Sequence, residues 1–320
     1  MKLPAAQIGA GVAVLAAAAW LLWPQLQHSL SSAPRALVRG GDAGGLPRVP
    51  PLQEHLDAAA LERASGDAAA DGLQALIVLR GDYIVYERYG HGIHADSVID
   101  SGPFARALLA LTAGIAARDG NLELQSLSGF DPVRLRSAIE AGTRQSYPDY
   151  LSLHLWRRLN AAAAWIALPA AGAPAPADCC FHARINDWLR VAAVLLDDGH
   201  FEGKAVVPAG WVERMQRPVS ASGSEGFGIE LASAAHGSEP FAADEVFFVR
   251  GPGRWRLWLM PTLKLAVLFG ARSGGESSSG DSEAAPWDET RLPNLVIRAL
   301  SEPTQQRSVG SQLQQLVPGH

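Results

Sequence analysis

Lysine is nearly missing. Of 27 basic residues only Lys2, Lys204 and Lys264 are lysines, and no serine stands three positions before any of them. A serine nucleophile helped by a lysine one helical turn later is thereby excluded anywhere in the chain. Cysteine is scarce too: Cys179 and Cys180 are the only two, and they are adjacent. Neighbouring cysteines can close only a strained ring, so they are expected as two small, buried, apolar residues rather than a staple. Zinc held by Cys179, Cys180 and His182 would have no recognised spacing, and neither a metal nor a cofactor is expected. Charged residues make up 18% of the chain and the net charge is −5, which leaves no electrostatic case for nucleic acid. No G-x-S-x-G elbow occurs, since Ser224 and the serines at 277–279 lack the flanking glycines.

What is present is apolar residue in quantity, 48% of 320, enough for a real core. Leu3 to Trp23 is a run whose one strongly polar member is Gln7, and Pro24 ends it. A bilayer needs about 20 such residues, so residues 1–28 are read as a membrane anchor with Trp20 and Trp23 at the far interface. A cleaved signal is disfavoured because the small-residue site ending at Ala33 is followed by Pro34. Residues 29–51, rich in Gly, Pro and Ser, read as a linker. The folded domain is expected over 52–300, interrupted by a Ser/Gly/acidic insertion at 273–285 and followed by a loose tail at 301–320.

Within the domain, a polar helix is predicted over Leu56–Ala64. Strands Leu73–Leu79 and Tyr83–Tyr89 follow, joined at Gly81-Asp82 by a type II′ turn. A helix then opens near Pro103, with Ser101 or Gly102 as cap. Phe104, Leu108, Leu111 and Ile115 share one face, and Gly120 stops it. His91, His94 and Asp96 read as surface loop rather than metal ligands. The middle third, 121–218, is Ala-rich and helical, with Asn186 capping a helix that buries Trp188, Val191, Ala192 and Leu195. Alternation or continuous apolar runs place strands near 227–231, 245–249, 255–259 and 265–269. A closing helix is predicted over Trp287–Leu300 despite Pro293.

Three ordered stretches carry a family resemblance: the hairpin with the helix ending "GIAARDG", the segment "CCFHARINDWLRVAAVLLDDG" followed by "GKAVVPAGWV", and the last helix. The chain resembles the serine β-lactamase and penicillin-binding-protein-like hydrolases, in their class C-like branch of esterases and amide hydrolases. The resemblance implies an α+β fold: a mostly antiparallel sheet built from both chain ends and flanked by helices, with a helical second lobe. It puts Cys179, Cys180, Asp187, Trp188, Arg190, Gly203, Pro208 and Trp211 on matching positions, all structural. It also implies where catalysis belongs. The family's S-x-x-K serine falls on Pro103 and its lysine on Arg106, and neither residue can replace the original. The Y-x-N loop is shortened to Ser128–Pro132, with Phe130 at the tyrosine's place; Tyr150 begins Y-L-S with Ser152, but in a later helix. Gly251 matches the glycine of K-T-G or H-x-G without the Lys or His before it.

The expected protein is therefore a pseudoenzyme: single-pass in the inner membrane, its bulk periplasmic, with a binding or scaffolding role toward a peptidoglycan fragment or an envelope protein. Arg106 would favour an anionic ligand. The alternative is an active serine hydrolase, an esterase or amidase, using a displaced nucleophile such as Ser101 with Asp100 or a histidine as base.

Overall fold

The computed structural model describes residues 34–41, 44–70, 72–123, 129–168, 180–271 and 287–301. The expected anchor and insertion, and the tail beyond residue 301, lie outside them. Among the described residues no helix is long and apolar enough to cross a membrane.

Part of the predicted linker is structured. Arg35–Val38 forms strand β1, Arg48 bridges Ile84, and Pro51–Glu54 makes a 3₁₀ turn. Val38 is fully buried while its neighbours are not. Four alternating residues among Gly, Pro and Ser are too short a signal to read from sequence. Helix α1 spans Ala58–Ala70, later at both ends than predicted. Its start is set by Asp57, whose carboxylate accepts the N–H groups of Ala59 and Ala60 at 2.8 and 3.2 Å. Strands β2 (Leu73–Arg80) and β3 (Tyr83–Tyr89) form the expected hairpin. Gly81 supplies the positive φ of its turn.

Strand β4 (Val98–Asp100) leads through a 3₁₀ turn, Gly102–Phe104, into α2 (Ala105–Arg118). The middle third is less purely helical than expected. Helices α3 (Pro132–Thr143) and α4 (Tyr147–Leu151), the latter extended by a π turn over Ser152–Trp156, precede strands β5 (Ala164–Ala167) and β6 (Phe181–Arg184). Then come α5 (Ile185–Leu196), a small hairpin of β7 (His200–Phe201) and β8 (Lys204–Ala205), and α6 (Trp211–Met215). Asn186 is not the cap of α5: the helix starts one residue earlier and has no side-chain cap. The adjacent Asp187 instead accepts the Ala162 N–H at 3.1 Å, tying α5 to the start of β5. Cys180 is also not the buried free thiol expected. It is disulfide-bonded, half-buried and in the left-handed region at φ 71, immediately before β6.

Strands β9 (Glu230–Leu231), β10 (Phe247–Arg250), β11 (Arg256–Met260) and β12 (Leu265–Ala271) complete the sheet, and α7 (Arg291–Arg298) closes the domain. Asp288 caps α7, accepting from the N–H groups of Thr290 and Arg291 at 3.0 Å each. Burial alone would raise its carboxyl, but the hydrogen bonds from Ser238 and Thr290 outweigh it and hold the group at about 2. Pro293 is tolerated because it falls in the first turn, where an N–H has no partner within the helix.

The main sheet runs β3-β2-β12-β11-β10-β9, every pair antiparallel. At its centre β2 from the first half pairs with β12 from the last, Arg80 opposite Leu265, so both ends of the chain share one sheet. Alternate residues of these strands enter two cores. Leu76, Val78, Trp258, Val267 and Phe269 pack under α1 and α7 with Leu61, Ala64 and Val296. Ile77, Leu79, Leu257, Leu259 and Leu268 face α2 and α5. Burial on both faces explains why β12 reads as a continuous apolar run rather than an alternation, each Leu-sized side chain contributing about 2 kcal/mol. A second sheet, β1-β5-β6-β4, was not foreseen. Its strands are only three or four residues long, below what periodicity resolves.

Candidate functional site

The start of α2 meets the loop after β10. Asp100 ends β4, and its Oδ1 accepts the Gly102 N–H at 3.1 Å; Asp100, not Ser101, therefore supplies the side-chain bond at this turn. Ser101 donates its own N–H to the Phe181 carbonyl at 2.8 Å, and its carbonyl accepts from the Phe104 N–H at 3.0 Å. The Ala105 N–H turns back to the carbonyls of Gly102 and Pro103. Gly102 stands at φ 46, which favours glycine, and a Cβ there would lie a tight 3.1 Å from Pro252 Cδ. On the facing loop, Gly251 donates to the Trp255 carbonyl at 2.8 Å and Trp255 donates to the Pro252 carbonyl at 3.2 Å. A Cβ on Gly251 would come within 3.1 Å of the Phe104 ring.

An acyl-transfer site needs N–H donors converging where the carbonyl oxygen becomes an oxyanion. Here the N–H groups of Ser101, Gly102, Phe104, Ala105, Gly251 and Trp255 are all directed into the local fold. Pro103, and Pro252 packed against Gly102, have none to give.

Ser101 is fully buried. Trp188 Nε1 donates to its Oγ at 2.9 Å, and Trp188 is wedged by edge contacts with Phe104 (5.1 Å) and Phe181 (5.9 Å). The serine hydroxyl is an acceptor in an aromatic cluster. Among the described residues no histidine, lysine, tyrosine or carboxylate is hydrogen-bonded to it.

Arg106 lies on the first turn of α2, its guanidinium 5.1 Å from the centroid of the Phe130 ring. Phe130 packs edge-on against Phe227 at 5.0 Å. The two positions that the resemblance assigned to lysine and tyrosine are thus side by side, as cation and ring. Arg106 Nε is buried without a hydrogen-bond partner. Burial holds the Glu230 carboxyl above its usual range, against the pull of Arg250, Arg106 and Arg256. Behind it, Glu289 ties the two remaining arginines: Oε1 accepts from Arg256 Nε at 2.6 Å and Oε2 from Arg250 Nη2 at 2.8 Å.

The other candidates are elsewhere. The Tyr150 ring stacks on His154 at 4.2 Å and its hydroxyl is buried without a partner. Ser152 donates to the Pro148 carbonyl at 2.6 Å and accepts the Arg39 N–H at 2.8 Å, a structural use. Asp96 pairs with Arg184 at 3.2 Å on the surface, not with His91 or His94 in a ligand set. Ser224 bonds Ser222 in an exposed turn, and the serines at 277–279 lie outside the described residues. Sequence reasoning missed Pro252 and Glu230. A proline directly after Gly251 is visible in the sequence, but its contact with Gly102, some 150 residues earlier, is not.

No family model and no curated protein matches the sequence. Solved structures do match. One described as a 6-aminohexanoate-dimer hydrolase from Bacillus anthracis is 12% identical, over 79% of this chain and 89% of its own, with a TM-score of 0.60. A β-lactamase from Mycobacterium bovis is 14% identical over 75% and 100%, at 0.55. A family VIII carboxylesterase is 11% identical over 81% and 99%, also at 0.55. Likeness at such identities carries fold and not activity. The chain has the α+β fold of the serine β-lactamase and penicillin-binding-protein-like hydrolases.

Proposed function

We propose that this chain is a non-hydrolytic member of that fold, held at the periplasmic face of the inner membrane by residues 1–28. Its role is to bind an anionic envelope ligand, such as a peptidoglycan fragment, or an envelope protein, without turning it over. One observation supports the non-hydrolytic part: the N–H groups of Ser101, Gly102, Phe104, Ala105, Gly251 and Trp255 are bonded within the local fold, and Pro103 and Pro252 have none to offer an oxyanion. The permanent cation at Arg106 and the buried acceptor role of Ser101 support it, because nucleophile and base must be present together. The unpartnered Arg106 Nε favours an anionic ligand. The anchor rests on the apolar run from Leu3 to Trp23.

Two measurements test it. Exposure of the full chain to a fluorescent fluorophosphonate should leave it unlabelled. Titration with anionic muropeptides should give a calorimetric signal that Arg106→Gln weakens at least several-fold. Labelling that disappears in Ser101→Ala, or a flat titration, would overturn the corresponding half.

A second reading, a working esterase or amidase, is favoured by the company the fold keeps, since the similar structures are described as hydrolases. It requires Ser101 to leave the Trp188 indole and find a base, and the same labelling experiment decides it.

A further inference from the structure

We infer that the outward face of β1 docks on anionic lipid headgroups of the bilayer that the N-terminal segment enters. The inference rests on the anchor reading of residues 1–28. Along β1 and one residue beyond, Arg35, Leu37 and Arg39 point outward while Val38 points into the core. Leu37 is 55% exposed, an unusual place for a strand leucine. It stands opposite Trp165 of β5. Arg35 lies 5.5 Å over that indole, and His182 stacks on the indole at 5.3 Å. At the other end, the Arg39 N–H binds Ser152 Oγ, which brings the π turn alongside with exposed Leu153 and, four residues on, exposed Arg157.

Tryptophan, aliphatic side chains and arginines on one face are what the headgroup region selects. Asp149 pairs with Arg39 at 3.0 Å across largely exposed side chains, a weak contact that a lipid phosphate can replace. Among the described residues Arg35 and Arg157 have no ion pair. The tether is short. Between Trp23, which ends the apolar run, and Arg35 lie 11 residues, at most roughly 35–40 Å of chain, so β1 is held close to the bilayer surface at high effective concentration. A second copy is a poor occupant of the same edge. Antiparallel self-pairing centred on Leu37 would set Arg35 against the other copy's Arg39, and like charges directly opposite are destabilising.

The test uses the full chain in vesicles of phosphatidylcholine alone and of phosphatidylcholine mixed equally with phosphatidylglycerol, read by hydrogen exchange. Docking predicts severalfold slower exchange over residues 35–39 and 153–157 on the anionic vesicles only, abolished by Leu37→Asp with Arg35→Ser. Co-sedimentation with both vesicle types without that protection would keep the anchor and overturn docking. Sedimentation with neither would overturn both. Protection in detergent that grows with protein concentration would assign the face to a second copy instead.

Discussion

The indole N–H of Trp188 donates to the hydroxyl of Ser101 across 2.9 Å, and both side chains are buried. The bond joins α5 to the junction of β4 and α2. Ser101→Ala should leave that N–H without an acceptor and cost about 1–3 kcal/mol, read as a lower denaturation midpoint. Ligand titration by the variant should be unchanged. Unaltered stability would mean that the indole finds another acceptor and the serine is not structural.

Restoring the residues of the resemblance should not restore chemistry. Pro103→Ser with Arg106→Lys returns a nucleophile and an amine, yet Pro252 still denies an N–H on the facing loop. The double variant is expected to remain unlabelled by fluorophosphonate. Robust labelling would show that the helix side alone suffices and that Pro252 is irrelevant.

The Glu230 carboxyl gives a pH-dependent prediction with a definite sign. Burial raises its pKa in the folded state above the unfolded value, so the folded form holds its proton more tightly. Below about pH 4 both states are protonated and the group is neutral in effect. As pH rises through the unfolded value toward the folded one, ionisation penalises the folded state. Glu230→Gln should therefore be more stable than wild type at neutral pH, the gap closing in acid. A variant less stable at neutral pH would mean that attraction to Arg106 and Arg250 outweighs desolvation.

Glu289 is the opposite case. Its carboxylate is nearly inaccessible and serves Arg250 and Arg256 together where β10 and β11 meet the approach to α7. Burial works against its ionisation, but the bonds from the two guanidinium groups win and its pKa is lowered. Glu289→Ala would strand two cations, a change that costs about 3–5 kcal/mol. The thermal midpoint should fall sharply; a shift of only a degree or two would place the arginines in water instead.

How much of this was legible in the sequence follows from physics. The central strands were readable because Leu257, Leu259, Leu268 and their neighbours form long apolar runs, and the β2–β3 hairpin because Gly81 marks its turn. That positions 103 and 106 hold neither a hydroxyl nor a lysine was likewise plain from residue identity. The β1-β5-β6-β4 sheet was not, since strands of three or four residues lack a period. Nor was the use of Ser101: capping is a local property and was the natural reading, but its actual partner, Trp188, is 87 residues away. The placing of Pro252 needed both, because identity tells that a proline lacks an N–H and only the fold sets Pro252 against Gly102.

On the proposed reading, no acyl group can be accepted and stabilised at the start of α2. Intact mass measurement of the full chain after prolonged incubation with benzylpenicillin and, separately, an activated phenyl ester tests it most directly. An unshifted mass is expected in both. A stoichiometric acyl adduct mapping to Ser101, and absent from Ser101→Ala, would contradict it.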